Sequence, residues 1–122
     1  MNSKVRTYTI YVIKALLTIA FLGAGAAKLA GAEPMIAVYE TIGVGHWFRY
    51  LTGFIEVVCA ILLLVPRAQA FGAIILVCTM TGAVLSHLFI LGPSAIPAAA
   101  LGVLSAIVAY AHRDQITQRF DT

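Results

Sequence analysis

The sequence predicts an all-α membrane protein: a bundle of four transmembrane helices, with a short interfacial helix between the first and second spans. Three observations carry this. Hydrophobic residues make up 61% of the chain and charged ones only 11%, against roughly 25% charged in a soluble domain. Mean hydropathy is +0.97. The apolar residues also fall into four runs, each near the roughly 20 residues that cross about 30 Å of hydrocarbon. Four spans and their short links consume residues 1–122, so the whole chain reads as a single domain.

The first span covers about 9–29 and contains Lys14. Lys4 and Arg6 precede it and Ala30-Gly31-Ala32 follows, a pattern that imitates a cleavable signal peptide. The interruption at Lys14 and the full spanning length favour a retained helix. Lys14 sits near one end of the run and is expected to snorkel its amine to water. Residues 31–46 are too short and too polar to cross. Pro34 suits a first helical turn, and Met35, Val38, Tyr39 and Ile42 recur at helical spacing. This predicts a short amphipathic helix at the membrane surface, ended by Gly43 and Gly45. The second span, about 47–65, stops at Pro66, and the third, about 68–91, ends at Gly92-Pro93. The fourth covers about 94–110, with Ser94 as N-cap and Pro97 near the first turn. Trp47, Phe48 and Tyr50, and Tyr8, Tyr11 and Tyr110, fit aromatic belts.

Lys4 and Arg6, Arg67, and Arg113 and Arg119 all fall on one side of this layout, whereas Glu33 and Glu40 lie on the other. Cytoplasmic loops collect Lys and Arg, so both termini are expected in the cytoplasm, in a bacterial inner membrane. The net charge of +3 then reflects topology. No basic run tracks a polyanion, which excludes nucleic acid as a partner class. Cys59 and Cys78 lie 19 residues apart without a CxxC motif, and are read as buried and inert.

Ionisable residues inside a span are costly, about 2.5–3.5 kcal/mol at a helix centre, and usually face a bundle interior or a wet cavity. The candidates are Lys28, Arg49, Glu56 and His87. Glu56 lies about 13 Å inward from Trp47 at 1.5 Å per residue, close to mid-membrane; the other three fall nearer the outer side. Arg49, Gly53, Glu56 and Ala60 share one helical stripe. Met80, Ala83 and His87 share another, with Thr79, Gly82 and Ser86 beside it. Gly23, Ala27 and Gly31 form a small-residue stripe suited to close helix contact. These stripes are expected to converge on a polar pocket open to the exterior. A purely structural alternative is a Glu56–Arg49 or Glu56–Lys28 bridge that sets helix register. One His and one Glu at different depths make a poor ligand set, so no metal is expected. No serine or cysteine has a nucleophile-elbow context, so no catalytic residue is assigned.

"FLGAGAAKLAG" from Phe21, "MIAVYETIG" from Met35, "RYLTGFIE" from Arg49 and "MTGAVLSH" from Met80 together resemble the DoxX-like family of small membrane proteins. The resemblance covers roughly residues 15–90, with the fourth span alike only in hydropathy. It implies a four-helix membrane bundle with both termini inside, and matches Gly25, Lys28, Tyr39, Gly43, Gly53, Glu56, Gly82 and His87 to the family's motif positions. Relatives include a subunit of a thiosulfate:quinone oxidoreductase, proteins tied to oxidative stress and thiol homeostasis, and membrane chaperones or cargo receptors.

Two functions compete on this footing. One is a redox-associated membrane subunit, at most part of an oxidoreductase, that binds quinone or another lipophilic molecule. Lys28 and His87 would donate hydrogen bonds, Glu56 would exchange a proton, and Phe54, Met80 and Phe89 would supply apolar walls. Gly25, Tyr39, Gly53 and Gly82 complete the expected lining. The other is a non-enzymatic helper that assists assembly of a partner membrane protein. A transporter is disfavoured because no inverted repeat with broken helices is visible, although a homo-oligomer would enclose a path.

Overall fold

The computed structural model describes residues 2–92 and 95–120, and among them every regular element is helical. Helix α1 spans Ser3–Ala30; the Asn2 side chain caps its start by accepting from the Lys4 amide at 2.8 Å. It stops at Gly31, whose φ of 73° turns the chain into the left-handed region where a side chain would be strained. Helix α2, Glu33–Ile42, carries Pro34 in its first turn and ends at Gly43 in the same way. Helix α3 covers His46–Leu62 and α4 covers Gln69–Ser86. The latter continues as a π-helical turn, His87–Leu91, closed by the Gly92 amide on the His87 carbonyl at 3.0 Å. Helix α5 is Ile96–Ala111, with Pro97 in its first turn; the expected N-cap, Ser94, lies outside the described residues. Helix α6, Arg113–Phe120, follows beyond the four expected spans.

Two of these helices are long and apolar enough to cross a membrane: α1, with 28 residues, and α4 with its π-helical turn, with 23. Only 28% and 11% of their apolar windows are buried inside the protein. The core helix of a soluble domain would be mostly buried. The distribution is inverted elsewhere too. Tyr8, Ile19, Phe54, Leu88, Phe89, Ile96 and Val103 are exposed, while Lys14, Arg49, Glu56 and Ser105 are buried. Exposed apolar side chains around a partly polar interior are what a surround of hydrocarbon favours.

Helices α1 and α3 pack as one close pair and α4 and α5 as another. Glycines set how near the backbones come. A Cβ on Gly25 would fall 2.6 Å from Val57 Cγ2 and 2.8 Å from the Gly53 carbonyl oxygen. One on Gly53 would fall 3.0 Å from the Gly25 oxygen. The two helices therefore touch backbone to backbone, as small-residue contacts allow. Gly23, by contrast, has nothing within 4 Å, so the Gly23–Ala27–Gly31 stripe is not the one that seats α3. At the other end of α3, Gly72 sits against Leu62 and the Cys59 carbonyl, drawing α4 in beside the short loop 63–68. Leu17, Phe21, Leu63, Leu76 and Val108 fill the core between the pairs.

Lys14 departs from expectation. It is 6% exposed, with Nζ 3.2 Å from His112 Nε2. Its stem does not run out to water, because the end of α5 and the start of α6 bring a polar group over it. Gln115 secures that corner by accepting from the Ala70 amide at 2.9 Å and donating to Gln69 Oε1.

Candidate functional site

The stripe Arg49, Gly53, Glu56 and Ala60 is the buried face of α3. Because Gly53 admits α1 so closely, the last turn of α1 lies directly over Glu56. Lys28 reaches from that turn to place Nζ 2.6 Å from Glu56 Oε1, with the glutamate 2% exposed. A cation in the final turn also complements the α1 dipole.

Arg49 does something else. Its Nη1 donates to the Lys28 carbonyl in the last turn of α1, which also accepts from the Gly31 amide at 3.4 Å, and its guanidinium lies over the Tyr50 ring at 4.4 Å from the centroid. It is a cap for α1, and the Glu56–Arg49 bridge considered from sequence is not formed.

Next to the Lys28–Glu56 pair the α2 ends of α3 and α4 stand apart around a cavity of about 670 Å³. Met35, Val38, Tyr39 and Ile42, the apolar face of α2, line it on one side. The pocket expected to open to the exterior is thus overlain by α2 there. From α3 come Phe48, Thr52, Ile55 and Glu56; from α4, residues between Ile75 and Ser86; from the π-helical turn, His87 and Leu91. Both α4 stripes read from sequence, Met80-Ala83-His87 and Thr79-Gly82-Ser86, face this space.

Its polar groups are few and ordered. The Thr52 hydroxyl donates to the backbone oxygens of Phe48 and Arg49, at 3.1 and 3.2 Å, leaving its lone pairs to accept from the Tyr39 hydroxyl at 2.6 Å. Burial raises the Tyr39 phenol above its usual pKa, an effect its bond to Thr52 opposes in part, so it remains a donor. The Tyr39 ring meets Phe48 edge-on with centroids 5.8 Å apart. His87 Nδ1 is buried and has no hydrogen-bond partner among the described residues. It sits at the first position of the π-helical turn, a local widening frequent at functional sites.

Of the residues singled out from sequence, Lys28, Tyr39, Glu56, Met80, Gly82 and His87 lie together on the cavity wall. Gly25 and Gly53 lie behind it, in the α1–α3 contact. Phe54 and Phe89 point away, 60% and 79% exposed, because each falls on the outer face of its helix. Cys78 is corrected: it is exposed on the cavity wall, and only Cys59 is buried. Thr52 was missed, although its position four residues before Glu56 puts it on a neighbouring part of the same face. The arrangement offers an apolar space whose wall carries a charged pair, an imidazole ring and the hydroxyl-bearing residues Tyr39, Thr52, Thr79 and Ser86.

A family model described as the DoxX-like family matches residues 12–111. No curated protein and no solved structure matches the chain.

Proposed function

The chain belongs to the DoxX-like family, and from that premise we propose that it is a four-span integral membrane protein whose cavity holds a lipophilic, hydrogen-bonding molecule of the quinone class. In this reading α1, α3, α4 with its π-helical turn, and α5 cross the membrane, α2 lies at the outer surface, and both termini are cytoplasmic. The carrying observation is the cavity itself. Its volume of about 670 Å³ falls in the range of small-molecule sites, roughly 300–1,000 Å³, which are mostly apolar with a few placed polar groups. A quinone needs a flat apolar slot and partners at its carbonyl oxygens. Lys28 can donate to one. Glu56 engages Lys28 through Oε1, which leaves Oε2 to take a proton from the reduced form. His87 lines the same space and can donate from its ring. Electrons would come from a separate redox subunit.

Purified protein in lipid nanodiscs, titrated with decylubiquinone, tests this. Binding is expected, and Glu56→Gln and His87→Ala are each expected to weaken it by about tenfold or more, the scale of one lost charged or buried hydrogen bond. Equal binding by all three proteins removes the site. The helper reading is favoured by one feature, the open space beside Gly23 on the outward face of α1, where a partner helix would seat. It predicts a single stoichiometric membrane-protein partner and no quinone.

A further inference from the structure

The cavity wall contributed by α4 shows how a ligand reaches it. Around the axis of α4 the residues fall in a regular angular order at 100° per residue. Thr79, Ala83 and Ser86 point into the cavity and are partly buried. Ile74, Thr81 and Leu85 point outward and are exposed. Between these two sectors lie Ile75, Cys78 and Gly82, spaced i, i+3, i+7, and these three both line the cavity and are exposed. They form a rim about 10 Å long, seven residues at 1.5 Å each, running along the helix.

The rim is placed mid-span. Cys78 is nine residues, about 13 Å, from the start of α4. Toward the outer surface the cavity is bounded instead by α2, which is pinned by the 2.6 Å bond from Tyr39 to Thr52. The rim itself carries no charge and no side chain larger than an isoleucine, and Gly82 has nothing within 4 Å of where a Cβ would stand.

We propose that the cavity is open sideways to the lipid between α3 and α4, and that its ligand is a lipid-phase amphiphile. The head lies on the wall formed by Lys28, Glu56 and His87. The apolar tail leaves past Ile75, Cys78 and Gly82 and stays in the bilayer. This deepens the quinone-class reading and rests on it for the chemistry of the head, but the side opening is a property of the helices alone. It fits the placement of the charged pair, which is held by α1 and α3 and not by the α4 rim: a head entering from hydrocarbon gives up no water, and its gain is the hydrogen bonds at that wall.

The test has two arms in nanodiscs. In the first, a nitroxide is attached to Cys78 in a Cys59→Ala background and its relaxation by oxygen, which concentrates in lipid, is compared with that by a water-soluble nickel chelate. Oxygen is expected to dominate, and decylubiquinone is expected to reduce its effect. Dominant relaxation by the nickel chelate overturns the side opening, whether or not decylubiquinone binds. In the second arm Gly82→Leu fills the rim at a position where a Cβ meets nothing within 4 Å, and is expected to weaken decylubiquinone binding by about tenfold or more. Gly23→Leu, whose Cβ likewise meets nothing within 4 Å but which lies on the outward face of α1, is expected to leave binding unchanged. Unchanged binding by Gly82→Leu overturns the proposed path. If the parent protein binds no decylubiquinone, the quinone-class reading fails, and the nitroxide comparison still decides the opening by itself.

Discussion

Lys28 and Glu56 meet at 2.6 Å in the bundle interior, and there a single substitution confuses two effects. Removing one partner leaves a buried charge uncompensated, which costs about 3–5 kcal/mol, whereas replacing both with apolar residues of similar volume is often near neutral. Lys28→Met or Glu56→Leu alone is therefore expected to lower the thermal midpoint and the yield in detergent. The double replacement should recover most of that stability and still fail to bind decylubiquinone; recovery of both would make the pair purely structural. At the other end of the bundle the Lys14 ammonium donates to His112 Nε2, which needs His112 neutral. Burial, then the Lys14 charge, hold the His112 pKa below its ordinary 6.5. The unfolded chain takes up its proton near 6.5 and the folded chain only at a lower pH. The contribution to stability is thus complete above about pH 6.5 and falls as pH drops through the window down to the folded value. Thermal unfolding of the parent should show this loss on acidification, and His112→Gln should flatten it; an unaltered pH dependence would show that His112 is not its source.

At the scale of elements, the α1–α3 contact is where the sequence is least replaceable. Gly25→Ala pushes a methyl to within 2.8 Å of a carbonyl oxygen on the facing helix, and rigid backbone cannot yield as a side chain would. A loss of about 1–3 kcal/mol is expected from such overpacking. Gly23→Ala, two residues away with open space beside it, should be neutral or stabilising by up to about 1 kcal/mol, the helix-propensity difference. Unfolding midpoints of the two variants in one detergent compare them directly, and equal values would contradict the packing described. Helix α2 is held over the cavity by its apolar face and by one bond from Tyr39 to Thr52. Tyr39→Phe keeps the ring contact with Phe48 and loses about 1 kcal/mol of hydrogen bonding. Faster amide exchange confined to α2, with α1 unchanged, is the expected signature.

For the whole molecule, the exposed apolar surface and the one-sided distribution of Lys and Arg make a joint prediction. If the proposed four-span topology holds, a fluorescent protein fused to either terminus should be active in the cytoplasm, and a phosphatase inserted near Gly43 should be active outside. Opposite locations for the two termini would require an odd number of spans. The outward apolar surface also predicts extraction only with detergent.

What the sequence determined is whatever depends on neighbours along the chain. Hydropathy and the breaks at Gly43, Pro66 and Gly92 marked the helices, and 3.6-residue periodicity put Arg49, Gly53, Glu56 and Ala60 on one face and grouped the α4 stripes. The same periodicity says nothing about which face of another helix arrives opposite, since that is decided by contacts far apart in sequence. Only the tertiary structure selected Lys28 over Arg49 as the partner of Glu56, because the Gly25–Gly53 contact sets where α1 ends above α3. Only it turned Lys14 inward, 98 residues from His112, and separated Cys78 from Cys59. The same holds for the cavity: its polar residues were visible one helix at a time, but its opening along α4 exists because α3 and α4 converge at Gly72 and stand apart beneath α2.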